Sequence, residues 1–211
     1  MKEKTHLGNR LLSVLLTFLM LLSLLPSAAL AADTQQIALM AVTQNGFLIK
    51  PEYVTYHSGD TVKDVLKKSG HTFSGIDNGY ITAVDDTTDN FSIHYDEDGY
   101  KLDQSADGLT AIWFTTNSDQ SHGANLQKLA ANMAVYNTAT NGLKDYKAAQ
   151  EAYDAAVKGF YAATDTKAKT LNDALFSAID KHAKFLEGKT TPLTISATMG
   201  GHLPRRGGVH Q

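Results

Sequence analysis

The spacing of apolar residues changes near residue 120, and this change constrains the fold more than any other feature of the sequence. Before it, short runs such as QQIALMAV and AIWFTTN alternate with turns rich in Gly, Asp and Asn, which is typical of β-strands. After it, apolar residues recur every three or four positions and Pro is absent from Gly123 to Lys189, which favours helices. The sequence therefore predicts an α+β protein whose sheet-forming half precedes a helical half.

The first half, residues 34–117, has the element order of a small mixed sheet. Asn45-Gly46 predicts a two-residue hairpin turn, because both central positions of that turn need positive φ. Pro51 predicts an irregular or edge portion in the second strand. A helix is expected from Thr61, followed by short strands and a last strand around Trp113. This order predicts a mixed sheet wrapped over one helix, the β-grasp arrangement.

Residues 121–188 predict an antiparallel three-helix bundle with short connections. The apolar positions at helical spacing are Leu126, Leu129, Ala130 and Met133, then Tyr146, Ala149, Tyr153, Ala156, Val157 and Phe160, then Leu171, Leu175, Ala178, His182 and Phe185. Gly188 marks the expected end of the third helix, whereas Gly159 conflicts with the second. Residues 189–211 predict a poorly ordered tail, or the truncated start of a further domain, with one short strand at 193–198.

The first 31 residues predict a signal peptide. Lys2, Lys4 and Arg10 precede an apolar run at 11–25, and small residues before Ala32 frame a cleavage site. Cleavage after residue 31 is expected, and a retained membrane anchor is the alternative. The expected location is therefore secreted or extracellular, in association with a cell surface.

Charge and cysteine content exclude several classes of function. Residues 33–119 carry 5 basic and 14 acidic side chains, a net charge of −9, whereas residues 121–211 carry 11 basic and 7 acidic, a net charge of +4. Neither half contains a dense basic stripe, so no nucleic-acid partner is expected. The absence of cysteine from the sequence excludes thiolate metal sites and cysteine nucleophiles.

The segment YHSGDTVKDVLKKSG places His57, Ser58 and Asp60 within four positions, which raises the possibility of a hydrolase site. Members of a catalytic triad normally come from separated parts of a chain, so we interpret this segment as a structural joint. Thr61 and Asp64 fit the spacing of a helix-capping box, and a turn at Gly59 is expected just before it. We expect no catalytic residues and no enzyme activity.

The acidic segment DDTTDNFSIHYDEDGYKLD is the best candidate for a cation site. If His94 takes position 1 of a calcium loop, Asp96, Asp98 and Gly99 fall at positions 3, 5 and 6. Position 1 then lacks a carboxylate, and Ser105 replaces the bidentate Glu of position 12. A hairpin turning at Asp98-Gly99 is therefore favoured over a calcium loop.

The remaining candidates favour structural roles. Asp85, Asp86 and Asp89 leave a loose, weak cation site open, although no metal site or cofactor is expected. His182 lies on the apolar stripe of the third predicted helix, where a hydrogen-bonded or half-exposed histidine between helices is favoured over a metal ligand.

Three aromatic residues, Trp113, Tyr80 and Tyr100, are candidates for a stacking platform that would bind a sugar or another ligand. Trp113 lies inside an apolar strand, which favours a place in the core. The ligand-binding residues are thus left unknown.

Two motifs carry a resemblance to known families. The pattern G-x-L-I-x-P-x-x-V-x-Y-x-x-G-D-T-V-x-D-V-L begins at Gly46, and N-G-Y-I-T-A-V begins at Asn78. With them the first half resembles the bacterial domain family related to the C-terminal β domain of transcobalamin and intrinsic factor. The Gly-Trp-x-Tyr-x-x-Asn-Gly run usual in that family is missing, with AIWFTTN in the corresponding region. Two further stretches, YKAAQEAYDAAVKGF and TLNDALFSAIDKH, look like repeated helices, and with them the helical half resembles the three-helix spacer modules of large bacterial cell-surface proteins.

The resemblance implies a β-grasp module of secreted and surface proteins, sometimes joined to a helical barrel that binds cobalamin. We expect a non-catalytic extracellular interaction or spacer segment of a bacterial cell-surface or secreted protein. Its expected partner is an extracellular protein, a glycan or a small molecule, with no membrane contact after signal removal. The alternative is a cobalamin-type binding module that acts with a partner helical domain.

Overall fold

The computed structural model describes residues 34–95, 101–120 and 123–189, and these form a mixed α+β fold, as the sequence predicts. The predicted signal peptide and the predicted C-terminal strand lie outside the described residues. The strands are β1 (Thr34–Thr43), β2 (Gly46–His57), β3 (Phe73–Ser74), β4 (Ala83–Val84), β5 (Thr87–Thr88), β6 (Ser92–His94) and β7 (Ala111–Thr115). The α-helices are α1 (Val62–Lys68), α2 (Ala124–Thr138), α3 (Lys147–Gly159) and α4 (Asp165–Lys189). Short 3-10 turns cover Ile76–Asn78, Leu143–Asp145 and Phe160–Ala162.

The main sheet is mixed and has four strands in the order β2-β1-β7-β6. Strand β1 pairs antiparallel with β2 and parallel with β7, and β6 pairs antiparallel with β7. The short strands β3, β4 and β5 form a second, antiparallel sheet. Strand β1, the first strand in the described part of the chain, is therefore central and pairs with both β2 and β7.

The β1–β2 hairpin is confirmed, but its turn lies one residue earlier than predicted. Thr43 pairs with Gly46, so Gln44 and Asn45 are the turn residues. Gly46 has φ of 120°, whereas Asn45 is not among the non-glycine residues with positive φ. The Thr43 hydroxyl accepts a hydrogen bond from the Asn45 N–H (3.1 Å) and donates one to the Gly46 carbonyl (3.2 Å), which fixes the turn at this position.

Strand β2 is an irregular edge strand, as Pro51 predicts. Leu39 pairs with Glu52 but Ala41 pairs with Ile49, so β2 contains an extra residue at this point. The Asn137 side-chain amide donates a hydrogen bond to the Pro51 carbonyl (2.8 Å), so that α2 satisfies a carbonyl group of the bulge. A bulge with proline also hinders pairing with a further strand.

Alternate residues of β1 enter two separate cores. Its even-numbered residues contribute to the helix-side cluster, which we define as Ala38, Met40, Val42, Ala111 and Trp113 together with the buried apolar residues of α2, α3 and α4. Its odd-numbered residues contribute to the α1-side cluster, which includes Ile37, Leu39, Ala41, Val62, Val65, Leu66, Ile112 and Phe114. Because successive side chains of a strand point to opposite faces, one central strand stabilises both layers.

Helix α2 lies between the sheet and the other two long helices. It contacts β1, β2 and β7 on one side and α3 and α4 on the other. The Tyr53 hydroxyl donates to the Ala131 carbonyl (3.3 Å), and the Asn132 side-chain amide donates to Asn172 of α4 (2.8 Å). The helices thus share a core with the sheet, and the division into units at 34–117 and 121–188 stays a prediction.

Two glycines explain how the helices approach each other. A Cβ atom on Gly159 would lie 2.8 Å from Leu171 Cδ1, so the glycine that conflicts with helix propensity allows α4 to approach α3. A Cβ atom on Gly123 would lie 1.9 Å from Asp165 Oδ1. That carboxylate accepts hydrogen bonds from Asn125 through the backbone N–H (3.0 Å) and the side-chain amide (2.6 Å), so the first residue of α4 caps α2.

The ends of the long helices differ slightly from expectation. Helix α4 extends to Lys189, one residue beyond the glycine expected to end it. None of the helices in the described parts of the chain is long and apolar enough to cross a membrane.

Candidate functional site

The turn between β2 and α1 holds the clustered polar side chains that the sequence singles out. Gly59 has φ of 88°, a conformation that glycine adopts without strain. The Asp60 carboxylate accepts a hydrogen bond from the His57 backbone N–H (2.7 Å), and the Asp60 N–H donates back to the His57 carbonyl (3.0 Å). These two hydrogen bonds close the turn between His57 and Asp60.

Asp107 organises the same turn from a distant part of the chain. Its Oδ2 accepts hydrogen bonds from the Ser58 hydroxyl (3.2 Å) and the Gly59 N–H (2.9 Å). Its Oδ1 accepts one from the Gln35 side-chain amide (3.3 Å). No sequence pattern identifies Asp107 as part of this turn, since it lies 49 positions after Ser58 and belongs to no recognisable local motif.

Lys68 supplies the positive charge at the turn. Its ammonium group donates to the Asp60 carboxylate and lies 3.4 Å from His57 Nδ1. The hydrogen bond from Lys68, followed by that from the His57 N–H, lowers the pKa of Asp60. Asp60 is therefore an ionised structural acceptor, and Ser58 donates to Asp107, so the three residues do not assemble as nucleophile, base and orienter.

Thr61 and Asp64 form the predicted capping box. The Thr61 hydroxyl accepts from the Asp64 N–H (3.2 Å), and the Asp64 carboxylate accepts from the Thr61 N–H (2.9 Å). Bonds to the Thr61 hydroxyl and then to its backbone N–H lower the pKa of Asp64. Two further N–H groups of the first turn, those of Val62 and Lys63, donate to the Gln104 (2.9 Å) and Leu102 (2.8 Å) carbonyls, which ties α1 to the segment before β7.

Trp113 is a core residue and is fully buried. Its indole N–H donates to the Gln120 side chain (3.0 Å), its ring stacks on His94 at 5.4 Å between centroids, and Phe160 meets it edge-on at 6.1 Å. Tyr80 is 56% exposed, and Tyr100 lies outside the described residues. The stacking platform is therefore not assembled from Trp113 and Tyr80.

Gln120 is a buried polar residue that the sequence analysis missed. Its side-chain amide donates to the Phe160 carbonyl (2.6 Å), while Asn117 donates to the Tyr161 carbonyl (2.8 Å). These bonds fasten the segment after β7 to the end of α3. A glutamine in a polar linker carries no sequence signal of burial, so spatial contacts alone reveal this role.

The acidic segment divides into a described and an undescribed part. The predicted turn at Asp98-Gly99 and the ligand position Asp96 lie outside the described residues. Within the described parts of the chain, no group of three or more His, Cys, Asp or Glu side chains could hold a metal ion. Asp85 instead contacts His71 Nδ1 (2.5 Å) and accepts from the Thr72 N–H (2.9 Å).

His182 occupies the place between helices that its spacing predicts. It is buried, its Nε2 lies 3.2 Å from the Asn141 carbonyl oxygen, and its ring stacks on Tyr146 with 5.7 Å between centroids. This confirms the prediction of a hydrogen-bonded histidine, and both of its partners lie in the connection between α2 and α3.

Comparison with known proteins gives no match to a family model, to a curated protein or to a solved structure.

Proposed function

We propose that this chain is a non-catalytic extracellular interaction or spacer segment of a bacterial cell-surface or secreted protein. The observation that supports the proposal is the hydrogen bonding of the polar side chains between β2 and α1. Ser58, Asp60 and Thr61 all bond to the main chain or to other structural side chains. A reaction centre would instead direct such groups at one another and at a substrate.

The packing supports a role as a rigid segment. Helix α2 is bonded to the sheet through Tyr53 and Pro51 and to α4 through Asn172. Such ties oppose relative movement of the sheet and the helices. The expected partner is an extracellular protein, a glycan or a small molecule, and neither nucleic acid nor membrane is involved after signal removal.

The test of export is expression of the full chain with its own leader, followed by N-terminal sequencing of protein from the medium and the cell envelope. We expect a mature chain that begins at Ala32. Intact leader on protein retained in the cytoplasm would contradict the proposal.

The variant Ser58→Ala tests whether the turn between β2 and α1 contains a reaction centre. The variant and the parent chain are assayed with ester, amide and glycoside substrates, with Ser118→Ala as a matched control. We expect no turnover by any of the three proteins. Turnover by the parent that Ser58→Ala abolishes, with unchanged folding, would establish an enzyme.

A second candidate is a cobalamin-type binding module that acts with a partner helical domain. The hairpin β1–β2, the helix α1 and the parallel pairing of β1 with β7 favour it, because a β-grasp module combines these elements. Titration of cobalamin with the purified chain tests this candidate. A corrin spectrum that shifts at micromolar protein would rank it above the spacer.

A further inference from the structure

Two tyrosine rings from different helices stack on each other. Tyr136 lies near the end of α2 and Tyr153 in the middle of α3, with ring centroids 4.2 Å apart and ring planes inclined by 21°. Aromatic pairs in proteins usually keep their centroids about 4.5–7 Å apart. The two phenol rings are therefore closer than an ordinary aromatic pair, and carbon atoms of one ring are in van der Waals contact with those of the other.

The two rings differ in their access to solvent. Tyr136 is 6% exposed, whereas Tyr153 is half-buried. Burial, followed by the negative charges of Tyr136 and Asp154, raises the pKa of Tyr153 to about 12. Burial, followed by the charges of Asp154 and Asp145, also raises the pKa of Tyr136. Both phenols are therefore protonated at neutral pH, and Tyr153 is the one that a dissolved oxidant can reach.

Two phenols in contact have a chemistry that other ring pairs lack. Loss of an electron and a proton converts a phenol into a phenoxyl radical, whose unpaired electron is spread over the oxygen and the ring carbons beside the hydroxyl-bearing carbon. Two such radicals couple through those carbons, and a fold that holds them together makes the coupling intramolecular. The ring contacts of Tyr146 with His182 and of Trp113 with Phe160 do not combine two phenols.

Helix α3 packs on the helical layer mainly through small side chains. Its buried residues are Ala149 and Ala156, which remove little apolar surface from water. Tyr153 is the largest side chain of α3, so its stack on Tyr136 is a principal contact between α3 and α2. The sequence has no cysteine, so no disulfide can join these helices. A bond between the two rings would restrict the unfolded chain as a disulfide does.

We propose that Tyr136 and Tyr153 form a site of oxidative cross-linking, at which hydrogen peroxide and a peroxidase join α2 to α3 through dityrosine. The oxidant first removes an electron and a proton from the half-buried Tyr153. An electron then moves from Tyr136 to Tyr153 across the stacked rings, and a proton follows it. A second oxidation of Tyr153 produces two radicals in contact.

The two radicals couple between the carbons that lie beside their hydroxyl-bearing carbons. The new C–C bond replaces one C–H bond on each ring, and the two released ring protons return to the phenolic oxygens. Hydrogen peroxide takes up two electrons and two protons and becomes two water molecules. The cross-linked chain is therefore lighter than the parent by two hydrogen atoms.

Treatment of the dilute full chain with peroxidase and hydrogen peroxide tests the site. Trypsin releases Tyr136 in peptide 129–144 and Tyr153 in peptide 148–158, since each of these peptides follows a lysine and ends at one. We expect dityrosine fluorescence from monomeric protein, and a mass equal to the sum of these two peptides less two hydrogen atoms. In concentrated urea the contact is lost, and we expect this linked pair to give way to mixed products.

The variants Tyr136→Phe and Tyr153→Phe keep the rings and remove the hydroxyl groups that the reaction needs. Tyr80→Phe is the matched control, because Tyr80 is 56% exposed and open to the oxidant. We expect each of the first two variants to lose the linked peptides and Tyr80→Phe to retain them, with far-UV circular dichroism verifying the fold. Absence of the linked pair from the oxidised parent, or an equal yield of it in urea, would overturn the proposal.

Discussion

The two clusters on either side of the main sheet are closed in different ways. The α1-side cluster is closed by backbone bonds and a capping box around Thr61. The helix-side cluster is closed by side-chain amides, with the buried Gln120 bonded to Trp113 and the partly exposed Asn132 bonded to Asn172. The first arrangement fixes a short helix to the segment before β7. The second joins α2 to α4 and links the end of α3 to β7 through Gln120. The helices are therefore bound to the sheet through specific polar contacts as well as through apolar burial.

The largest expected effect comes from truncating one aromatic residue of each cluster. Trp113 and Phe114 are neighbours on β7, both are fully buried, and they belong to opposite clusters. We expect Trp113→Ala and Phe114→Ala each to lower the free energy of unfolding by about 3–5 kcal/mol. Urea titration followed by far-UV circular dichroism measures this.

The Phe114→Ala variant also tests whether the two clusters unfold together. It keeps the single tryptophan of the chain, so fluorescence and circular dichroism can be compared in one sample. We expect both signals to move to the same lower midpoint. A shift confined to fluorescence, with the helical signal unchanged, would separate the clusters.

The contact between α2 and α4 gives the next largest effect. A methyl group at Gly123 would occupy the place of the Asp165 carboxylate, so Gly123→Ala should cost about 1–3 kcal/mol of stability. Chemical denaturation of Gly123→Ala, Asp165→Ala and the double variant measures the coupling. Strictly additive losses would show that Gly123 makes no room for Asp165.

The cap of α1 should contribute less. Thr61→Ala removes the hydroxyl that accepts from the Asp64 N–H, and we expect a loss of about 1 kcal/mol. Thr61→Ser retains the hydroxyl and is the control. Thermal melts in which Thr61→Ala matches the parent chain would remove Thr61 as the cap.

The smallest effect concerns the acid sensitivity of the joint. The hydrogen bond from Lys68 lowers the pKa of Asp60. The stability that the ionised Asp60 contributes is therefore complete above the ordinary carboxyl pKa of about 4, and it is lost as the pH falls through the lowered pKa. We therefore expect the parent chain to lose more stability than Asp60→Asn between neutral pH and about pH 3. Melting curves at several pH values measure this. Parallel curves for the parent, Asp60→Asn and Lys68→Met would contradict the role of the pair.

Local patterns were sufficient to predict the elements that local contacts determine. The capping box, the irregular edge strand at Pro51 and the hydrogen bond of His182 follow from spacing, propensity and turn chemistry, and the structure confirms them. The hairpin turn was misplaced by one residue because the Thr43 hydroxyl, rather than the Asn-Gly dipeptide, fixes it.

Long-range contacts determine what the sequence left open. Asp107 and Gln120 are polar residues in loops, and nothing in their neighbours indicates that each bonds to a segment about 40 or more positions away. The position of α2 on the sheet was also not predictable. The apolar residues of α2 indicate that one face of the helix is buried, but they do not indicate which surface covers it. Gly159 is unfavourable for helix propensity, and only the close approach of Leu171 explains why a glycine stands at this position.

The sheet and the long helices share one core, and we expect them to unfold as a single unit. Differential scanning calorimetry of the full chain tests it most directly. We expect one transition whose calorimetric enthalpy equals the van't Hoff enthalpy. Two resolved transitions, one carrying the loss of the helical signal and the other the exposure of Trp113, would contradict it.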